Sequence, residues 1–469
     1  MNRNQSLDAL RGYAILTMIL SGAVAYGGVL PAWMYHAQVP PPAHKFIPTQ
    51  PGITWVDLVF PFFLFSMGAA IPLALSKLDK AGASFWQVLF IAARRFAFLA
   101  FFAFFTEHMR AWVIAENPTA NDYLLSLLAF VLLCFQFYEY KGEKHKTLFT
   151  GLRIGGFSLA CFLLWWLPFN KGEGFKVEMV DIIILVLANM AFFGTLIWWL
   201  TRKSPIVRVG ILAFVAAIFL GAKETGSWNE WLYNLTPAPW LYKFYFLKYL
   251  FIIIPGTIAG EWLRDDKAIS GEITADIPTR VPVSSFLLLA LMAFAIVGCN
   301  VALLFSRMLV LNLAVSTVLC ISGYFLLQKM APQNDLLKKF WSAGFYLLLL
   351  GLTLEACEGG IKKDFSTYSY YFVTSGLAFF MLIGFYGIAF SKIGSAVNNY
   401  LSLNGRNPMV AYVAGNLLLT PLLHITGTIK IFEAMNGSAW TGFLKGVLFT
   451  AIVSLIAIFF TKRKWFWKT

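Results

Sequence analysis

The chain has 469 residues, of which 59% are hydrophobic and 13% charged, and its formal net charge is +14. A soluble domain carries about 25% charged residues, so a soluble enzyme is excluded. With no basic soluble segment, the positive balance signals retention of cations on one membrane face rather than nucleic-acid binding. The five cysteines, Cys134, Cys161, Cys299, Cys320 and Cys357, form no CxxC or Cys/His cluster, so neither a disulfide framework nor a metal site is expected.

Apolar runs long enough to approach or cross ~30 Å of hydrocarbon as helix fall at 12–30, 54–76, 86–106, 121–138, 147–168, 181–200, 207–222, 243–262, 283–305, 309–328, 338–356, 368–391, 407–424 and 443–460. The expected fold is all-α: a polytopic membrane bundle of about eleven to fourteen spans, the range allowing for short or re-entrant segments. It forms one domain over 1–469. MNRNQSLDALRG precedes a long apolar run with no small-residue cleavage site, which reads as a retained first helix. The polar stretch 263–282 is too short to fold alone, so the chemistry must reside in the bundle and its loops.

Charge orients the spans. Arg3 and Arg11, Lys77 and Lys80, Lys141, Lys144 and Lys146, Arg202, Lys203 and Arg208, Lys329, Lys338 and Lys339, and Lys462, Arg463, Lys464 and Lys468 all fall on one side of a fourteen-span arrangement. The positive-inside rule makes that side cytoplasmic. Both termini are then cytoplasmic, a bacterial inner membrane is the expected location, and the 33–61 loop faces outward.

Ionisable groups in apolar helices are costly and are functional candidates by default. The outer layer holds His36, His44 and Asp57, with Glu355, Glu358, Lys362 and Lys363 near the end of the eleventh segment. Imidazole suits proton transfer near neutral pH, and a carboxylate can orient its ring. Asp57, near the start of its helix, also suits a cap, and the two roles are compatible. The inner layer holds Asp8 and Arg11, Arg94 and Arg95, Glu261, Arg406 and Asn407. Adjacent arginines point ~100° apart on a helix, so one of Arg94 and Arg95 should face protein or a cavity. Guanidinium groups there suit either phosphate recognition or plain membrane anchoring. Lys248 lies in or near the membrane and needs a partner. The residues alone leave two classes open: an enzyme, and a transporter or flippase for a glycan or lipid-linked intermediate.

SLDALRGYAILTMIL, then YHA, then GITWVDLVFPFFLFSMGAAIPL resembles the transmembrane acyltransferases related to heparan-α-glucosaminide N-acetyltransferase. The resemblance is strongest over 6–76 and fades through PGTIAGEWL, IKKDFSTYSYYFVTSGLA and NPMVAYV. It implies transfer of an acetyl group from cytoplasmic acetyl-CoA, a co-substrate, to an amino-sugar or glycan acceptor on the outer side. It implies a catalytic loop histidine: His36 carries the following Ala37, whereas His44 has the better distance to Asp57. By that reading Arg11, Arg94, Arg95, Arg406 and Asn407 bind CoA, Glu355 and Lys362 meet the acceptor, and a polar path with Asn189 and Asn407 as donors links the layers, the alternative for Asn189 being packing against another helix. Membrane lipid is the other expected partner, and a homodimer is left open.

Overall fold

The computed structural model describes residues 4–140, 142, 145–266, 281–330 and 335–468. Arg3, Lys141, Lys144 and most of the polar stretch, 267–280, lie outside the described residues. The long elements of the described chain are all helices: α1 (Gln5–Ala23), α2 (Trp55–Lys80), α3 (Phe85–His108), α4 (Ala120–Phe137), α5 (Lys146–Trp166), α6 (Ile182–Thr201), α7 (Pro205–Gly221), α8 (Phe244–Asp265), α9 (Val283–Phe305), α10 (Leu309–Lys329), α11 (Asp335–Glu355), α12 (Tyr368–Ile388), α13 (Lys392–Gly405), α14 (Pro408–Ile425) and α15 (Ala439–Lys462). Among the described residues, twelve helices are long and apolar enough to cross a membrane. Their outward surfaces are apolar, with Ile206, Val310, Ile393 and Trp440 more than four-fifths exposed. The protein is therefore an integral membrane helix bundle.

Each apolar segment read from the sequence is a helix, and α13 is an addition. Its buried positions are Gly394, Asn398, Ser402, Asn404 and Gly405, while Ile393, Val397 and Tyr400 face outward. That inside-out pattern suits a hydrocarbon surround and has too little net hydropathy to register as a span. α13 lies on α1 so closely that a Cβ on Gly12 would sit 1.9 Å from the Leu401 carbonyl oxygen, and one on Gly405 1.9 Å from that of Asp8. The DxxRG start of α1 thus serves partly as a backbone contact that only glycine permits. Gly256 and Gly260 of α8 do the same against the Phe65 and Ala69 carbonyls of α2.

Two prolines show how the bundle is stitched. Pro61 has no N–H to give the Asp57 carbonyl, four residues earlier. The Tyr370 hydroxyl, from α12, donates to that oxygen instead at 2.7 Å. Pro255 likewise frees the Phe251 carbonyl, and Ser375 Oγ donates to it at 3.3 Å. Arg208, grouped by sequence with the surface cations, is completely buried. Its guanidinium donates to Glu261 Oε1 at 2.8 Å, to Thr201 and to Thr257, while Trp198 Nε1 donates to the same carboxylate oxygen at 2.7 Å. Glu261 is therefore part of a buried structural lock, its Oε1 held by donors from two neighbouring helices.

Candidate functional site

The loop from α1 to α2 is built to present one histidine. Thr54 caps α2 and Asp57, at the third helical position, closes the capping box: Asp57 Oδ2 accepts from Thr54 N at 2.9 Å and from Ala37 N at 3.2 Å. The other oxygen, Oδ1, lies 2.7 Å from His36 Nδ1. Asp57 therefore caps the helix and orients the ring at once. Its side chain is 2% exposed whereas that of His36 is 38% exposed, so a buried carboxylate supports an accessible imidazole. With Asp57 ionised, Nδ1–H donates to it, and the lone pair stays on Nε2.

A second loop, 356–367, completes the site. Gly52 N donates to the Ile361 carbonyl at 2.8 Å. Gln38 is buried; its Nε2 donates to the Pro48 and Asp364 carbonyls at 3.3 and 3.0 Å, and its Oε1 accepts from Asp364 N at 2.8 Å. These bonds carry Lys363 to the ring, with Nζ 3.2 Å from His36 Nδ1 and 3.5 Å from Nε2. The imidazole thus sits between a carboxylate and an ammonium. Ser366 of the same loop joins Tyr245 and Tyr371 in a hydroxyl chain, and Lys248 donates to the Ser366 carbonyl at 3.3 Å while lying over the Phe219 and Tyr245 rings.

His44 is placed differently. It adopts φ 48°, its ring meets Tyr26 and Tyr35 edge-on, and its Nε2 accepts from Gly27 N at 3.1 Å. Its acceptor nitrogen is occupied in closing the loop, so the histidine brought to Asp57 is His36. Glu355 is buried, paired with Arg307, and accepts from Ile361 N at 3.3 Å. Anchoring the second loop uses its charge, which corrects the expectation of an acceptor contact. Lys362, also expected to meet the acceptor, joins that loop through its backbone, its N–H donating to Thr367 Oγ1 at 3.1 Å. Its neighbour Lys363 is the cation at the histidine. Glu358 accepts from Tyr368 N and Ser369 N and caps α12. His108 is buried between the Phe104 carbonyl and Lys176 N, and His424 stacks on Tyr123.

At the opposite end Asp8 gathers two arginines, Arg11 at 3.4 Å and Arg406 at 3.6 Å. Arg11 also donates to the Ser66 carbonyl at 3.3 Å and the Gly405 carbonyl at 3.5 Å. Arg95 lies within electrostatic range of Arg11. Arg94, its neighbour, is exposed and lies over the Phe98 ring, 5.3 Å from its centroid. Asn407 is committed to the C-terminal segment, donating to the Trp465 carbonyl at 2.8 Å and accepting from Trp467 N at 3.3 Å. Arg11 and Arg406 therefore share Asp8, Arg95 approaches Arg11, Arg94 is turned to the Phe98 ring, and the side-chain bonds of Asn407 are already used.

The space found between the two ends is walled by apolar side chains. A slot of about 30 Å³ lies there, walled by Ala14, Ile15 and Met18 of α1, Val59, Phe60 and Phe63 of α2 and Met409 of α14. Asn189, a candidate both for the polar path and for packing against a neighbouring helix, donates to the Leu185 and Leu241 carbonyls, as packing requires. Among the described residues no group of three or more His, Cys, Asp or Glu side chains is placed to hold a metal ion.

The sequence matches the family model for a domain of unknown function, DUF5009, over residues 3–263. No curated protein matches the chain.

Proposed function

Because the chain belongs to the DUF5009 family, whose chemistry is unassigned, its activity must be read from its side chains, and we propose that it is a membrane-embedded acyltransferase. It moves an acetyl group from cytoplasmic acetyl-CoA to an amino-sugar or glycan acceptor at the histidine end. The observation that carries this reading is the accessible His36 ring held at 2.7 Å by buried Asp57. A carboxylate that fixes the tautomer leaves the lone pair on Nε2, which takes a proton once the Lys363 ammonium, 3.5 Å away, turns to the substrate.

In the proposed reaction, the acceptor nitrogen attacks the thioester carbonyl and His36 Nε2 takes its proton. The new N–C bond forms, the C–S bond breaks, and the proton passes to the departing CoA sulfur. Lys363 faces the ring and supplies a donor for the oxyanion of the tetrahedral intermediate. Arg11, Arg95 and Arg406 hold the CoA phosphates. Ser66, whose carbonyl Arg11 meets, lies nine residues after Asp57 on α2, or ~14 Å along the axis. The arm of CoA between diphosphate and sulfur has about a dozen single bonds, and at the ~3.3–3.6 Å per three bonds of an extended chain it reaches about 14 Å. The separation of the two layers therefore suits one CoA molecule spanning them, provided the apolar slot widens to admit the arm.

The test uses purified protein, labelled acetyl-CoA and a panel of amino sugars. Acetylated product that disappears in His36→Gln supports the proposal. Absence of product with every acceptor, together with no binding of CoA, sinks it.

A further inference from the structure

A second cavity, of about 350 Å³, opens where α1 ends and α6 begins, bounded also by α14, the Ile429–Ala434 turn and α15. Met18 and Phe449 contribute apolar wall, and four polar side chains share the lining: Tyr412, Asn416, Thr420 and Lys445. Two features set it apart from a packing gap. First, α14 abandons α-geometry beside it: Ala414–Leu419 is a π-helix that places Gly415 and Asn416 in the lining, and such turns recur at functional sites. Second, Gly22 lines the cavity and has nothing within 4 Å of where its Cβ would stand, so the space is open beside a helix that could have filled it.

The lining has the chemistry of an amphiphile. Lys445 Nζ donates to Asn436 Oδ1 at 3.0 Å, and no ion pair to it is present among the described residues. Glu433 is the acid whose field reaches it. Lys445 lies seven residues after the cap Ser438, ~10 Å below the start of α15, and the surrounding Trp440 and Ile431 side chains are 84% and 64% exposed. Exposed Trp440, five residues or ~7.5 Å nearer the start of the helix, is the kind of residue that marks the headgroup level, and the flexible Lys445 side chain can extend its ammonium toward that level. The amide of Asn416 and the hydroxyl of Thr420 add hydrogen-bonding groups around it, while the Tyr412 hydroxyl is already donating to Asp181 Oδ2 at 2.5 Å.

We propose that this cavity binds a lipid phosphate: the phosphate ester on Lys445, Asn416 and Thr420, the hydrocarbon chain against Met18 and Phe449. The same chemistry is offered by an anionic phospholipid of the bilayer and by a polyprenyl phosphate carrier. The inference does not depend on acetyl transfer.

The full chain, purified in a maltoside detergent, is titrated with radiolabelled tetradecyl phosphate. One saturable site is expected. Tetradecyl phosphocholine should displace the probe about tenfold less well, and Lys445→Gln should weaken probe binding about tenfold, the factor for ~1.4 kcal/mol of lost charge-assisted contact. Gly22→Phe should abolish binding by filling the cavity. Displacement by phosphatidic acid or by decaprenyl phosphate identifies the source. Equal displacement by the phosphocholine, or wild-type binding in Lys445→Gln or in Gly22→Phe, overturns the proposal. If Gly22→Phe does not fold, the Lys445→Gln and phosphocholine results decide.

Discussion

Replacing Asp57 by Asn tests the proposed catalytic unit with the least change of shape. The carboxylate accepts His36 Nδ1–H on one oxygen and the Thr54 and Ala37 N–H groups on the other. An amide has a single acceptor oxygen. Kept toward the two backbone donors, it turns its NH2 to His36, so Nδ1 must accept and the proton moves to Nε2. The ring then offers the acceptor amine a donor where it needs a base. The lost charge-assisted bond costs about 1.5–3 kcal/mol, which lowers thermal stability without unfolding the bundle. The inverted tautomer removes general-base catalysis, worth about 10²–10⁴ in rate, or about 3–5.5 kcal/mol of barrier. Acetyl transfer by Asp57→Asn in proteoliposomes should therefore lose kcat by about that factor, with KM for acetyl-CoA within about twofold, since only the transition state uses the missing lone pair. A folded Asp57→Asn protein with kcat within about threefold of wild type would refute the reasoning.

Further outcomes follow from the same geometry. Lys363→Met should lower kcat about 10²-fold, in the range for one oxyanion donor, while leaving CoA affinity unchanged in isothermal titration. Arg95→Ala should weaken CoA binding about tenfold, the loss of one charge-assisted contact, whereas Arg94→Ala should not change it. Arg208→Met strands the Glu261 carboxylate and should cost about 3–5 kcal/mol; adding Glu261→Gln should recover much of it, read as the melting temperature of the purified variants. A cysteine at Ala43 should react with a membrane-impermeant maleimide in intact cells only if the histidine end faces outward.

What the sequence discloses tracks the range of the interaction concerned. Apolar runs are local, and each one is a helix. α13 escaped because its apolar residues are few and face lipid. The pair at the heart of the site was legible because Asp57 begins a helix and His36 lies in the loop that meets it. Choosing between His36 and His44 required the loop's path, since His44 is spent on Gly27 N. Lys363 was named beside Lys362, but an irregular loop has no periodicity to say which one turns inward. Arg208 looked like an anchor because its partner Glu261 is 53 residues away. The Tyr370 bond was foreshadowed by Pro61, which leaves a carbonyl unserved, yet only the packing of α12 names the donor.

The bridge between the two loops has a consequence for how the protein can be divided. His36, Asp57, Arg11 and Arg95 all lie inside the family-matched region, 3–263. Lys363, Tyr370, Arg406 and the Asp364 backbone that clasps Gln38 lie beyond it. A fragment ending at 263 would keep the imidazole and its carboxylate but lose the neighbouring ammonium, the hydroxyl on the Asp57 carbonyl and Arg406, one of the two arginines that meet Asp8. The first half of the chain carries the histidine–aspartate pair, and the second half supplies its enclosure.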